Sequence, residues 1–325
     1  MRFGLAFVLS LLCLDHACAA LSTAPSSLLP LDGFRSLRNS TLGFPEPPDS
    51  FHVSFEIGGP KLHRTACLLN TVEALKQLAL GDFQAKIIDG TEYKLDSYPQ
   101  VSILVSTFKR RRNIQARFVI WGIVLGVHEI VSRKKFEFAQ FEIKWNGDIL
   151  GWVHIENNPP TPGLAIGGSH VNDTLNVAKR SVMPSNATST YGTNITDIIT
   201  TDATVDPGEA RLNTVFTPFG NNVGIYDVFF PIMDSLADMA EHSATHQTQG
   251  LVAGYDGSKA AICLLATLPF RKSPPFLELQ WVIRTISRIP LFMVEGHRFG
   301  EIGIKIEVDG AEIASGRLSN MPVCL

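Results

Sequence analysis

Residues 136–151, FEFAQFEIKWNGDILG, and residues 299–314, FGEIGIKIEVDGAEIA, decide the fold that this sequence predicts. In each segment large apolar residues alternate with polar residues, a period of two that is typical of a half-buried strand. Each strand runs into a turn dipeptide, Asn-Gly at 146–147 and Asp-Gly at 309–310. Because these dipeptides favour the positive φ values of a type I′ turn, each segment is predicted to form a β-hairpin.

The two hairpins belong to longer segments, 119–155 and 282–318, which align with each other without a gap. Random pairing at ordinary composition gives about two identities in such a window. The identical pairs are Val119/Val282, Ile120/Ile283, Ile123/Ile286, Val131/Val294, Phe136/Phe299, Ile143/Ile306 and Gly147/Gly310. The sequence therefore predicts an internal repeat, and generic amphipathicity of both segments is the alternative.

Three further pairs of segments extend the repeat. They are an amphipathic helix (72–79 with 233–240), an apolar strand (101–108 with 261–268) and a second helix (about 115–134 with 277–294). Pro290 is expected to kink or shorten the last helix, because proline lacks the backbone donor. We expect an α+β fold with two tandem repeats, each helix, strand or strand pair, helix and hairpin. Each repeat is predicted to form a two-layer sandwich, and the two are related by a pseudo-twofold axis.

Composition and charge exclude several classes of protein. The 325 residues are 45% apolar and 18% charged, with a formal net charge of −3, which excludes a disordered chain and gives no support for a nucleic-acid partner. The mature chain lacks G-x-S-x-G, a P-loop, H-E-x-x-H, paired C-x-x-C, and a G-x-G-x-x-G that opens a helix. Common hydrolase, nucleotide, dinucleotide and zinc sites therefore find no support, and no cofactor is expected.

The N-terminus has the three regions of a secretory signal peptide. Arg2 precedes the apolar run 3–14, and small residues follow at 17–20. A transmembrane anchor is the alternative, but this run is too short to span a bilayer, as is the apolar stretch 118–127, which is predicted to be a buried helix. The sequence thus predicts a protein that is secreted or resides in the secretory-pathway lumen.

The chain is predicted to have five parts. They are the signal peptide (1–20), an N-terminal extension (21–48), the first repeat (49–156), a glycosylated flexible linker (157–211), and the second repeat with a C-terminal tail (212–325). Sequons at Asn39, Asn172, Asn186 and Asn194 predict N-glycosylation. Within the linker, Lys179-Arg180 is either a processing site for a dibasic-specific protease or an uncut, solvated pair.

Three cysteines remain after removal of the signal peptide, namely Cys67, Cys263 and Cys324. Cys263 lies in an apolar strand and is interpreted as a small buried hydrophobic residue. This interpretation leaves Cys67 and Cys324 as the predicted disulfide, with three free thiols as the alternative.

Two polar clusters are candidates for ligand binding. His242, His246 and Asp238 have the spacing of one helical face, which suits a metal, but a polar helix C-terminus is the preferred interpretation and no metal is predicted. Basic residues follow the apolar strand of each repeat, and the predicted ligand-binding residues are Lys109, Arg110, Arg112, Arg271 and Lys272. Guanidinium groups bind carboxylates bidentately, so these residues predict a small anionic organic ligand, with a solvated basic loop as the alternative.

His128 is the candidate general acid or base. It lies three residues after Leu125 and seven after Trp121, in an otherwise apolar helical stripe, and Leu291 occupies the corresponding position of the second repeat. The alternative interpretation is a hydrogen-bonded core histidine. Any catalytic role of this kind would belong to one repeat only.

Residues 120–121, Phe136 and the run KWNGDILG at 144–151 resemble a group of secreted ascomycete proteins, some encoded beside specialised-metabolite genes. Among these the chain is most similar to ketosteroid-isomerase-like cyclases of maleidride pathways. The resemblance implies cofactor-free cyclisation or isomerisation of a small organic molecule. The alternative from another class is a non-catalytic, secreted binding or effector-like glycoprotein with a protein or glycan partner.

Overall fold

Four helices and twelve strands make up the part of the chain that the computed structural model describes, residues 47–108, 112–158, 211–254, 260–267 and 273–320. The helices are α1 (Arg64–Leu80), α2 (Ala116–Ser132), α3 (Ile225–Met239) and α4 (Leu279–Glu295). The strands are β1 (Phe51–Lys61), β2 (Lys86–Ile88), β3 (Thr91–Tyr93), β4 (Val101–Thr107), β5 (Asn113–Gln115), β6 (Glu137–Trp145), β7 (Asp148–Asn157), β8 (Leu212–Asn222), β9 (Gly250–Gly254), β10 (Ala261–Ala266), β11 (Gly300–Val308) and β12 (Ala311–Ser319). The predicted α+β class is confirmed.

The strands form two five-stranded sheets and one small ribbon, all antiparallel. The first sheet has the order β1-β6-β7-β4-β3 and the second the order β8-β11-β12-β10-β9, while β2 pairs with β5. Both large sheets therefore connect their strands in the same order along the chain.

Both predicted hairpins are confirmed, with the predicted turn geometry. The φ angles are 52° at Asn146 and 83° at Gly147 in the β6–β7 turn, and 52° at Asp309 and 76° at Gly310 in the β11–β12 turn. Positive φ at both central residues defines the type I′ turn, whose twist matches that of the flanking strands.

The helices lie between the two sheets. Helix α1 contacts β3 and β4, and α2 contacts β1, β6 and β7; in the second half α3 contacts β9 and β10, and α4 contacts β8 and β11. The helices also contact one another, α1 with α3 and α4, and α2 with α3. The order of layers is thus sheet, helices, helices, sheet, and the helices are buried on more than the single face that amphipathicity predicts.

The first strand of each sheet is absent from the sequence-based prediction. Strand β1 carries a clear alternation at Val53, Phe55 and Ile57, which face the core, whereas β8 lacks a regular alternation. Both strands are anchored in the same way, because the amides of Asn146 and Asp309 in the hairpin turns donate to carbonyls just before β1 and β8. A long-range contact of this kind leaves no local pattern in the sequence.

The predicted alignment of β4 with β10 is wrong by a single position. Thr107 pairs with Gly151, and Ala266 pairs with Ala314, the residue that corresponds to Gly151 in the second hairpin. Thr107 therefore corresponds to Ala266, whereas the alignment of the two sequences matched it with Thr267. A shift of this size exchanges the two faces of a strand. A continuous apolar run does not distinguish between the two alignments, because both faces of the strand carry apolar residues.

Helix α4 continues to Glu295 although Pro290 lies inside it, so the predicted shortening does not occur. Helix α3 likewise contains Pro231. Proline removes one helical hydrogen bond, but both prolines lie among buried residues of their helices, and tertiary packing supplies most helical stability.

The predicted disulfide between Cys67 and Cys324 is wrong, because Cys67 is a free thiol on α1 with no exposed surface. Cys263 takes part in a disulfide, and its partner lies outside the described residues. The interpretation of Cys263 as a small buried residue is confirmed, since 8% of its surface is exposed. Its side chain nevertheless lies on the outer face of the second sheet, with Arg317 and Val252 as its neighbours across β12 and β9.

Cys67 is expected to resist alkylation in the folded protein. Burial raises the pKa of its thiol to about 12, so at pH 8 only about one thiol in 10⁴ is ionised. Iodoacetamide at pH 8, read by peptide mass spectrometry, should label Cys67 after unfolding in denaturant but not before. Rapid labelling of the native protein, or recovery of Cys67 in a disulfide-linked peptide, would contradict the buried free thiol.

Candidate functional site

A histidine and an aspartate meet where the helices of the two halves contact each other. The Nε2 atom of His128 on α2 lies 3.1 Å from Oδ1 of Asp234 on α3. The His128 side chain keeps 23% of its surface exposed, whereas Asp234 keeps 7%. A carboxylate buried to this degree needs a partner, and the imidazole supplies one.

One face of α3 forms the surroundings of this pair. Tyr226, Phe230 and Asp234 are spaced four residues apart, so they follow one another along that face. The ring of Phe230 stacks on His128, with centroids 4.4 Å apart and an interplanar angle of 25°. Tyr226 stacks on Phe230 at 6.0 Å, so His128, Phe230 and Tyr226 form a row of stacked rings. These contacts fix the plane of the imidazole and direct Nε2 at the carboxylate.

The contact with Asp234 determines how His128 can act. In the neutral imidazole the nitrogen that faces a carboxylate carries the proton, so Nε2–H donates and Nδ1 has the lone pair. An oriented imidazole backed by a carboxylate is the arrangement that general acid–base catalysis uses. The prediction of His128 from the helical stripe placed it correctly on α2. Its partner Asp234 was missed, because that residue appeared only as a member of an amphipathic helix.

The structure does not bring Arg112 to His128. Arg112 is exposed and precedes β5, just before the start of α2, while His128 lies about 18 Å along the helix axis from Ala116. The other predicted ligand-binding residues, Lys109, Arg110, Arg271 and Lys272, lie outside the described residues. A basic lining of the His128 site therefore stays a prediction.

Arg117 is a cation that sequence analysis overlooked. Its guanidinium carbon lies 4.6 Å from the ring centre of Phe118 and 5.6 Å from that of Trp145. Trp145 belongs to the end of β6, so Arg117 connects the start of α2 to the hairpin by contacts with aromatic faces. These contacts give Arg117 a structural role near the start of the helix, away from His128.

His242, His246 and Asp238 do not share a helical face, because α3 ends at Met239. The two histidines lie in the following turns, where their rings stack at 5.6 Å. Burial raises the pKa of Asp238, with a smaller opposing influence of His242. Within the described ranges, no three His, Cys, Asp or Glu side chains are grouped so that they could hold a metal ion.

Several predicted sites lie outside the described residues. They are the signal peptide, the sequons at Asn39, Asn172, Asn186 and Asn194, the Lys179-Arg180 pair and Cys324. In the part of the chain that the structure describes, none of the helices is long and apolar enough to cross a membrane. Comparisons of this chain with protein families, with characterised proteins and with solved structures found no match to a family model, no similar protein and no similar structure.

Proposed function

We propose that this protein acts in the secretory pathway, binds a small organic ligand beside His128 and transfers a proton on it without a cofactor. The hydrogen bond between His128 and Asp234 is the observation on which this proposal depends. The class of reaction is a cyclisation or an isomerisation in which a proton is removed at one atom and returned at another. The resemblance of residues 144–151 to maleidride-pathway cyclases supports the same class.

The geometry of the pair supports this role. In the neutral imidazole Asp234 accepts the Nε2 proton and Nδ1 is the basic nitrogen, and the exposed part of the side chain gives a ligand access to the ring. Phe230 and Tyr226 add aromatic surface beside it, which suits a ligand with an apolar body.

The proposal includes a duplicated origin for the two halves, related by a pseudo-twofold axis. The common strand order of the two sheets and the matching hairpin turns support it. The pair itself is not duplicated. Position 291 holds leucine where the first half has His128, and Glu73 stands where the second half has Asp234. Proton transfer is therefore assigned to a single site built from both halves.

A second candidate function is non-catalytic binding by a secreted glycoprotein. The packing between α1 and α3 favours it, because Leu68 and Leu69 on α1 and Ile232 and Leu236 on α3 keep 2% or less of their surface exposed. Helices packed this tightly leave little room for a ligand between α1 and α3, which favours binding at the surface.

Gene deletion followed by metabolite profiling tests the catalytic proposal. The deleted strain is complemented with the wild-type gene, with His128→Phe, which keeps an aromatic ring on Phe230, and with Asp234→Asn. Loss of a catalytic acid or base typically costs about 10²–10⁴-fold in rate, so His128→Phe should leave the product of the pathway nearly absent and its precursor accumulated. Asp234→Asn should give an intermediate loss, because the amide is a neutral acceptor.

Glu73→Gln is the matched control, since it changes the residue of α1 that corresponds to Asp234 and should restore full product. Thermal unfolding of each secreted variant checks that it is folded. An unchanged metabolite spectrum in the deleted strain would remove the enzymatic proposal. Full product from folded His128→Phe would remove the role of His128 and favour the second candidate function.

A further inference from the structure

One face of the first sheet is turned away from the helices. Val153 and Ile155 on β7 are fully buried on the helix side, so Trp152 and His154 lie on the opposite side of the sheet. Trp152 pairs with Ser106 on β4 and with Glu142 on β6. His154 pairs in the same way with Leu104 and Gln140, so these neighbours share the outer side with it.

Four rings lie on this side and are half-buried, which leaves part of each in contact with solvent. Phe108 follows β4 and packs on Trp152 with ring centres 5.5 Å apart. Phe138 on β6 packs near His154 at 6.3 Å. Since residues two apart on a strand are separated by about 7 Å, the two ring pairs lie side by side. We call Phe108, Phe138, Trp152 and His154 the outer aromatic face.

The fold does not require these rings. The second sheet can be aligned with the first by matching the two hairpins for β6 and β7, and by matching Thr107 with Ala266 for β4. The residues at the positions of Trp152, His154, Phe138 and Phe108 are then Ser315, Arg317, Glu301 and Thr267. A sheet with the same strand order thus forms with no aromatic residue at any of the four positions, so the outer aromatic face serves something other than folding.

The polar residues beside the rings indicate the chemistry of the ligand. The Gln140 amide and the Ser106 hydroxyl both donate and accept hydrogen bonds. Glu142 is neutralised by Lys144, whose Nζ lies 2.6 Å from its carboxylate. Further along the face, Glu56 pairs with Gln140 and Glu156 adjoins His154, so among the residues that the structure describes these two neighbours add negative charge. An anionic ligand is therefore disfavoured.

A neutral saccharide has the complementary surface. Its C–H groups pack on ring faces, which carry the negative part of the aromatic quadrupole, and its hydroxyl groups need both donors and acceptors. Burial also lowers the pKa of His154, against an opposing influence of Glu156, and a lower pKa favours the uncharged imidazole.

We propose that the outer aromatic face binds a neutral polysaccharide, with Trp152 and Phe108 as the main stacking surface and Gln140 and Ser106 as hydrogen-bonding partners. This inference does not depend on the proton transfer proposed for His128. That residue belongs to α2, which packs on the opposite face of the first sheet.

Binding of defined oligosaccharides to the full secreted protein tests this proposal. The probes are laminarihexaose, cellohexaose and chitohexaose, with hexagalacturonate as the acidic comparison, and the readouts are calorimetry and tryptophan fluorescence. At least one neutral probe should bind, and Trp152→Ser, which introduces the residue of the second sheet, should weaken it about tenfold. Trp152→Phe should keep most of the affinity. Phe219→Ser is the matched control, because Phe219 is 40% exposed on the other sheet, and it should bind like the wild type.

Three results would overturn the proposal. The first is that no neutral probe binds. Binding of a protein through this face, without binding of any neutral probe, counts as the same result. The second is that folded Trp152→Ser binds as tightly as the wild type. The third is that hexagalacturonate binds more tightly than every neutral probe, which would show that charge and not ring stacking governs the interaction. If Trp152→Ser is unfolded, comparison of Phe108→Thr with Phe219→Ser decides in the same way.

Discussion

Replacing Gly126 with alanine is expected to destabilise the protein by about 2 kcal/mol, although the same change in an ordinary helix is stabilising. Gly126 lies in the middle of α2, and a Cβ atom built there would come within 2.3 Å of the ring of Phe141. Phe141 belongs to β6 and has no exposed surface, so the ring has little room to move. Overpacking costs about 1–3 kcal/mol, while relief from the low helix propensity of glycine returns up to about 1 kcal/mol.

The measurement is the midpoint of urea unfolding, followed by circular dichroism. Gly122→Ala is the comparison one turn earlier on the same helix. There the new Cβ would lie 2.9 Å from the terminal Cδ1 atom of Ile143, a smaller overlap with the end of a flexible side chain, so a smaller loss of stability is expected. Gly58→Ala, with no atom within 4 Å of the new Cβ, controls for the substitution itself. A higher midpoint for Gly126→Ala would show that α2 does not depend on close approach to β6.

Asn70→Ala is expected to lower the free energy of unfolding by about 3 kcal/mol, the largest effect on stability predicted for a single polar side chain. Asn70 lies on α1 with no exposed surface. Its Nδ2 donates to the carbonyl of Tyr98 at 3.0 Å, and its Oδ1 accepts from the amide of Leu95. These bonds hold the segment before β4 against α1. Alanine would leave both backbone groups without their partner, and each such loss costs about 1–3 kcal/mol when the group is shielded from water.

Thr71→Val is the matched control for Asn70→Ala. Thr71 is the next residue of α1, equally buried, and its hydroxyl donates to the carbonyl of Cys67 within the same helix. Valine has the same shape, and that carbonyl lies inside the helical ladder, so a cost below about 1 kcal/mol is expected. Equal destabilisation by the two substitutions, measured by urea unfolding, would show that the bonds to residues 95–98 contribute nothing beyond the loss of a buried polar group.

The features predicted correctly from the sequence are those with a local physical cause. The type I′ turns depend on the ability of Asn146-Gly147 and Asp309-Gly310 to adopt positive φ, a property of the turn residues alone. The helices follow from the spacing of their apolar residues, and α2 extends over nearly all of the segment predicted for it. Strand β8 was missed because it lacks a regular alternation and is held by a partner distant in the chain, whereas β1 carries an alternation from which it could have been predicted.

The candidate site also contains one residue that could be predicted from the sequence and one that could not. His128 is recognisable in the sequence because a histidine interrupts an apolar helical stripe. Its partner is not, since Asp234 is 106 residues away and reaches His128 only through the contact of α2 with α3. Whether Cys67 and Cys263 form disulfides also depends on packing. The alternation of side chains along β10 places Cys263 on the outer side of its sheet, while α1 buries Cys67 in the core.

The sequence by itself determined the α+β class, the two hairpins and their turns, and the helical segments, because each of these follows from backbone preferences and hydrophobic periodicity within about twenty residues. The tertiary structure alone decided the strand register, the placement of the helices between the sheets, the free state of Cys67 and the meeting of His128 with Asp234. These features depend on contacts between residues far apart in the chain, whose free energy is set by shape and burial and leaves no periodic pattern to read.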